Sequence, residues 1–424
     1  MVNMKPSGVQ WIGDIPSEWK LGKVKNRFYF TKTIVGNEVD DYERLALTLG
    51  GVIKRSKEAN DGLQPEKFDG YQILKKNELV FKLIDLANVA TSRVGLSPYT
   101  GIVSPAYIVL HHRKNGCPRY AEYYFLSMWM NEVFNHLGGD GVRSSLNAKD
   151  LLNVPFPLIS ETEQLAIADY LDDRCSKLDE IIIEAEKSIE EYKELKQAVI
   201  FEAVTKGVKN KTSNNKSLDW CDTGICDDWN TSQIRYLYRL RNERNEAPLE
   251  EVNLISLYTD KGVVQHADLE KTTGNKAVTA DGYKLVYPED IVVNIILCWM
   301  GAMGRCEYQG VTSPAYDIYE PIDSKRVCSR YYHYLFRTER FAGKCYTLGR
   351  GIMMMRWRTY SSEFRSIRVP VPPLSEQIAI ADYLDKRIGD MDSLISEKQS
   401  LIEDLKAYKK SLIYEFVTGK RRIL

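Results

Sequence analysis

The residues with the clearest capacity for chemistry are arginines. Between positions 323 and 368 stand Arg326, Arg330, Arg337, Arg340, Arg350, Arg356, Arg358, Arg365 and Arg368, interleaved with Tyr331, Tyr334, Phe341, Tyr346 and Trp357. With Lys325 and Lys344 they make eleven cations against only Asp323, Glu339 and Glu363. A guanidinium fork clamps phosphate and reads guanine O6 and N7 bidentately, which lysine does less well, so the stretch reads as a polyanion-binding surface. The alternative for any single arginine is a solvated face. Arg143 and Arg358 gain weight from placement. Each lies fourteen residues before the second proline of a Pro-x-Pro, behind a glycine-containing loop at 138–141 or 349–351. The nucleic-acid-binding candidates are therefore Arg143, Lys149, Arg326, Arg330, Arg337, Arg340, Lys344, Arg350, Arg356 and Arg358, with Lys149 and Lys344 as phosphate contacts or ordinary surface.

Other chemistry finds little support. Ser104-Pro105-Ala106-Tyr107 and Ser313-Pro314-Ala315-Tyr316 are reminiscent of the polar-Pro-Pro-aromatic loop of amino-methyltransferases. Alanine replaces the second proline, however, and no glycine-rich cofactor loop lies upstream. A turn opening a strand is the expectation. His111, His112, His136, His266 and His333 lack metal spacing, and the eight cysteines form no C-x-x-C. Met353-Met354-Met355 reads as loose core filling. No phosphate-binding loop and no paired-carboxylate nuclease signature stands out. The expectation is a chain with no catalytic residues, no metal site and no bound cofactor.

These residues need elements to position them. At 424 residues, 44% hydrophobic and 27% charged, the chain is ordinary globular protein of two to four domains. It shows no apolar run long enough to span a membrane and no apolar signal core, so an intracellular, cytoplasmic protein is expected. The net charge of zero conceals a partition. Residues 1–159 carry +4, 160–206 carry −7, 207–374 carry +3 and 375–424 carry zero.

The partition follows a repeat. EQLAIADYLDDR at 163–174 matches EQIAIADYLDKR at 376–387 in ten of twelve positions, at an offset of 213. Asp69-Gly70-Tyr71 matches Asp281-Gly282-Tyr283, Arg119-Tyr120 matches Arg330-Tyr331, and Val154-Pro155-Phe156-Pro157 matches Val369-Pro370-Val371-Pro372. A period of half the chain means a duplicated unit, not a solenoid. Each copy opens with β-branched and aromatic runs, such as 78–81, 102–103, 107–110 and 290–297, punctuated by Gly, Asn and Asp. Helical spacing follows at 120–130 and 331–341. Each copy closes in a long helix. Residues 163–205 lack Gly and Pro, with Leu171, Leu178, Ala185, Tyr192 and Val199 every seven residues and Ile182 and Ile189 on the adjoining seam. In the second copy Leu384, Met391, Lys398, Leu405 and Leu412 recur likewise, beside Ile388, Ile395 and Ile402, with Gly389 as the weak point. Such heptads predict coiled-coil helices, the first ending at Gly207.

This order (variable block, Pro-x-Pro, Glu-Gln, heptad helix ending near Val-Thr-x-Gly, all repeated) resembles the specificity subunits of type I restriction–modification systems over essentially the full length. The opening Trp11-Ile12-Gly13-Asp14-Ile15-Pro16 and Trp19 belong to the same resemblance. It implies an α+β fold: two mixed α/β target-recognition domains joined by two long antiparallel coiled-coil helices in an internal pseudo-twofold repeat. The expected boundaries are 1–158, 159–207, 208–373 and 374–424. Each domain would read one half of a bipartite sequence in double-stranded DNA. The helices, through Leu171, Leu178, Ile182, Ile189, Tyr192, Val199, Leu384, Met391, Ile395, Ile402, Leu405 and Leu412, would hold the domains apart and dock two modification (methyltransferase) subunits. Restriction (nuclease/translocase) subunits would join through the complex, and cofactors and cleavage chemistry would belong to these partners. The competing reading of the residues is an interaction scaffold: tandem β-rich modules on a coiled coil, binding protein or glycan.

Overall fold

The computed structural model describes residues 3–58, 67–84, 86, 93–113, 116–137, 145–209, 216–268, 279–351 and 357–423. Seven α-helices occur among them: α1 (Pro118–Met130), α2 (Ala148–Leu152), α3 (Glu161–Lys206), α4 (Ser329–Phe336), α5 (Glu339–Leu348), α6 (Ser361–Ser366) and α7 (Leu374–Val417). The chain divides into two compact units, Met1–Glu186 with Ser400–Leu424, and Lys187–Gln399. Each unit thus takes one part of both long helices. No helix among the described residues is long and apolar enough to cross a membrane.

The first unit holds a four-stranded antiparallel sheet in the order Phe28–Phe30, Ile108–His112, Leu79–Lys82, Arg93–Leu96. The second holds one in the order Tyr238–Arg241, Tyr316–Pro321, Ile291–Asn294, Met303–Arg305. In both, the central strands are buried and pack on aromatic helices. Phe28, Phe81, Tyr120, Tyr124, Phe125 and Phe156 form the first core; Trp229, Tyr238, Tyr319, Tyr331, Phe336 and Phe341 anchor the second. The first Pro-x-Pro is a strand and the second ends one, each paired antiparallel with the chain just after the opening tryptophans: Pro155–Pro157 on Leu21–Lys23, and Arg368–Val371 on Asn230–Gln233. Proline suits these two-stranded ribbons, where a missing N–H leaves no ladder position empty.

Two sequence expectations shift. The helical spacing at 331–341 is broken, because Thr338 leaves the helix and its hydroxyl accepts the Phe341 N–H at 3.4 Å, starting α5 afresh. The apolar run 290–297 is strand only over Ile291–Asn294 and then turns, since Asn294 Oδ1 accepts the Ile296 N–H at 3.0 Å.

The long helices begin and end as capping chemistry dictates. Ser160 Oγ accepts the Glu163 N–H at 3.2 Å before α3, and Gly207, at φ +76°, closes it. A Cβ at Gly207 would also meet Glu376 Oε1 at 2.9 Å. Gly389 lies inside α7 without breaking it. In the first unit Leu171, Leu178 and Ile182 of α3 are buried with Ile402 and Leu412 of α7, and Leu405 is half-buried. Lys409 pairs with Asp179 at 2.6 Å and Lys406 with Glu186 at 3.2 Å, so these helix segments run antiparallel. In the second unit Ile189, Leu384 and Met391 are buried, while Tyr192, Val199 and Ile395 are half-buried. There Lys196 pairs with Asp392 at 2.6 Å, and Lys398 lies 5.9 Å from the Tyr192 ring, again antiparallel.

Candidate nucleic-acid interface

The duplicated Glu-Gln and the Arg-Tyr pairs bind each α/β block to its helix. In the first unit, Gln164 accepts the Cys117 N–H at 3.0 Å and donates to Ile159 O at 3.0 Å. Trp19 Nε1 donates to Glu163, Tyr120 OH to Val417 O at 2.9 Å, and Arg119 reaches Asp169 and Asp172. The second unit repeats every contact. Gln377 accepts from Cys328 and donates to Pro372 O, Trp229 donates to Glu376, and Tyr331 OH donates to Val204 O at 2.8 Å. Arg330 binds Asp382 at 2.7 Å and Asp385 at 2.6 Å, hydrogen bonds that raise its pKa.

The basic candidates then sort by what they already hold. Arg330 is committed to α7. Arg337 is largely withdrawn from solvent, its guanidinium donating to Met303 O at 3.1 Å, Thr259 O at 3.1 Å and Asp260 O at 2.8 Å, and burial lowers its pKa. Beside it His333 accepts the Arg305 N–H at 3.1 Å and is held neutral, its pKa lowered to about 3 by burial and then by the neighbouring Arg337 and Arg305. Arg340 pairs with Asp222 and lies 5.0 Å from the Phe201 ring; Lys344 pairs with Asp219. Lys149 on α2 and Arg326 before α4 are exposed. Arg143 and Arg356, like Met353-Met354-Met355, lie outside the described residues.

Arg350 and Arg358 remain, and the fold brings them together. Their backbones exchange both hydrogen bonds, Arg350 N–H to Arg358 O at 2.9 Å and Arg358 N–H to Arg350 O at 3.0 Å. Residues paired this way project side chains to one face, so two guanidinium groups share a rung. Like charges directly opposite are destabilising in isolation. Glu363 offsets only Arg350, at 3.1 Å, and that arginine is still 75% exposed; Arg358 is exposed and forms no ion pair with a described residue.

The rung has a rigid base. The Trp357 indole stacks on Tyr346 at 5.3 Å and donates to Tyr346 O at 3.0 Å, while Thr359 Oγ1 donates to Cys345 O at 2.8 Å. A Cβ on Gly349 would lie 2.2 Å from Trp357 Nε1, so this approach requires glycine. The two Ser-Pro-Ala-Tyr segments are turns, as expected. In each the serine hydroxyl accepts the alanine N–H at 3.3 Å, and a strand begins at or just after the tyrosine.

The acidic partners of Arg330, Arg340 and Lys344 are what sequence reasoning missed, because they lie 52 to 125 residues away in the chain. One signal was available for Arg330: it recurs as Arg119 in blocks that otherwise diverge, which points to a structural contact.

No family model matches the chain. It is 24% identical over 442 residues, covering 97% of this chain and 96% of the relative, to a Methanocaldococcus jannaschii protein described as the specificity subunit of the type I restriction enzyme MjaX. Two solved structures have the same fold. One comes from work on complex assembly and conformational transition of the type I R-M system (TM-score 0.69, 12% identity, 96% of this chain and 99% of that one). The other is the HsdS subunit from Thermoanaerobacter tengcongensis (TM-score 0.53, 14% identity, 96% and 98%).

Proposed function

We propose that this chain, which resembles a type I specificity subunit over nearly its whole length, is the DNA-sequence-recognition subunit of a type I restriction–modification complex. Each α/β block reads one half of a bipartite target. The paired helices act as a coiled coil that sets the spacer and carries two methyltransferase subunits, through which restriction subunits join. The chain contributes recognition and no catalysis; methyl donor, ATP and nuclease chemistry belong to its partners. The observation that carries this reading is the Arg350–Arg358 rung. Two adjacent guanidinium groups, only one of them paired with a carboxylate, are a poor arrangement in water and a good one against phosphates and guanine edges. Exposed Leu195 and Leu394 in one unit, and Ile181, Leu401 and Tyr408 in the other, support a second protein on the outer helix faces.

The target is first read from the methylated sites of cells that carry this chain with its methyltransferase subunit. Binding of the assembled complex to that duplex is then measured across salt concentrations. Arg358→Ala should weaken cognate binding by about 1–3 kcal/mol and relax specificity at one position. If Arg358 instead holds a phosphate, all sequences weaken alike and the log–log salt slope falls by about 0.9. A folded Arg350→Ala/Arg358→Ala variant with unchanged DNA affinity would return the rung to ordinary surface. A wild-type chain with no salt-dependent DNA binding would favour the protein-binding scaffold.

A further inference from the structure

A leucine sits at the tip of a hairpin in the first unit, where turn chemistry gives it no purpose. Strands Leu45–Thr48 and Gly51–Lys54 pair through Thr48 and Gly51, leaving Leu49-Gly50 as a two-residue turn. Asn, Asp and Gly serve such turns best. Leu49 is nevertheless there, and at 67% exposure it is the most exposed large apolar side chain among the described residues. The equivalent hairpin of the second unit, between Ile255–Tyr258 and Gly262–Gln265, has the polar tip Thr259-Asp260-Lys261.

Leu49 borders a groove of about 630 Å³ whose other apolar walls include Leu126 and Trp129 of α1, Ile183 of α3 and Ile413 of α7. Ile183 is 64% exposed. The rim is acidic: Asp172, Asp179 and Glu180 line it with a single lysine, Lys409, while Glu122 behind them accepts the Leu96 N–H at 2.8 Å and has its pKa raised by burial. Lys409 is already paired with Asp179, and Asp172 with Arg119. The corresponding groove of the second unit, about 480 Å³, has Arg337 in place of Leu126, and its three cations (Lys196, Lys261, Arg337) balance three carboxylates (Asp260, Glu339, Asp392). Met300, 52% exposed, also lines the second groove, so the contrast lies in the hairpin tip and the charge: apolar tip and acidic rim in one unit, polar tip and balanced charge in the other.

We propose that the first unit's groove is a docking site for an apolar side chain carried on a basic segment of a partner polypeptide, the methyltransferase subunit of the function proposed above, on which this inference rests. Burial of Leu49 and Ile183 supplies affinity, and the acidic rim steers the basic segment and fixes its register. The second unit's groove has neither an apolar hairpin tip nor a net acidic rim, so the two partner copies are held unequally.

The test titrates the full-length chain with the methyltransferase subunit of its own system, by native mass spectrometry and calorimetry. Leu49→Ala should weaken one of the two binding events about ten-fold to a hundred-fold. Ile183→Ala, across the groove, should weaken the same event. Glu180→Lys should flatten its salt dependence, and Thr259→Ala should change neither event. Because Leu49 and Ile183 are exposed, their truncation leaves the core intact. If wild-type and Leu49→Ala chains bind the subunit equally, the groove proposal is overturned while the function stands. If Leu49→Ala lowers DNA affinity with subunit binding intact, the groove belongs to DNA and the proposal is likewise overturned. A wild-type chain that binds no methyltransferase subunit overturns both.

Discussion

At the scale of single residues, identical side chains divide by their partners. Arg330 and Arg358 are both arginines of one basic stretch, yet the first is held by two carboxylates and the second faces solvent. Arg330→Ala should therefore lower stability, by about 1–2 kcal/mol in denaturant titration, and leave the salt slope of DNA binding unchanged. A titratable pair offers a second expectation. His111 Nδ1 meets Glu78 Oε1 at 2.6 Å and its Nε2 meets Thr31 O at 2.9 Å. The hydrogen bond to Glu78 raises the His111 pKa; burial works against the Glu78 charge, but the bonds from His111 and Lys75 outweigh it and lower the Glu78 pKa. The histidine's contribution is full below its unfolded pKa, about 6.5, and is lost as pH rises through the raised folded value. The glutamate's contribution is present above its unfolded pKa and is lost as pH falls through the lowered folded value. The pair therefore stabilises most between about pH 4.5 and 6.5. Thermal unfolding of wild type and His111→Gln should differ at pH 6 and converge by pH 9; a constant difference would show that the pair does not titrate.

At the scale of elements, each α/β block is fastened to the end of a helix by a buried tyrosine. Tyr120 and Tyr331 are fully buried, and their hydroxyls donate to Val417 O and Val204 O. The last carbonyls of a helix have no partner within it, so the phenol satisfies an orphan. Tyr331→Phe should cost about 1–3 kcal/mol by leaving that carbonyl buried and unpaired. Tyr120→Phe should cost a similar amount, read as a shift of the denaturation midpoint at constant slope. Leu384→Ala, which empties a fully buried seam position, should cost about 2–5 kcal/mol.

At the scale of the whole molecule, the proposed division of labour predicts modular behaviour. Replacing 208–370 with the equivalent block of a relative should change one half of the target and leave the other, as read by methylome sequencing. Both halves changing together would defeat the two-module reading. Lengthening α3 and α7 each by four residues adds about 6 Å of rise, roughly two base pairs at about 3.4 Å each. The spacer should then change by one or two base pairs with both half-site sequences intact.

The sequence by itself determined the duplication, the long helices and the strand runs at 78–81 and 107–110, observed as Leu79–Lys82 and Ile108–His112, because these rest on local periodicity and on patterns written twice. The Gly- and Pro-free run 163–205, its heptads and Gly207 fix α3 within two residues of its observed ends for the same reason. Tertiary structure decided which arginines are free. Arg330, Arg340 and Lys344 are paired with carboxylates, and Arg337 has its donors taken by backbone carbonyls, all distant in sequence, so charge counting along the chain cannot see them. It also decided that Arg350 and Arg358 share a rung, since strand register depends on the whole base of the loop. The chemistry of a basic stretch is local, but its availability is set by long-range packing.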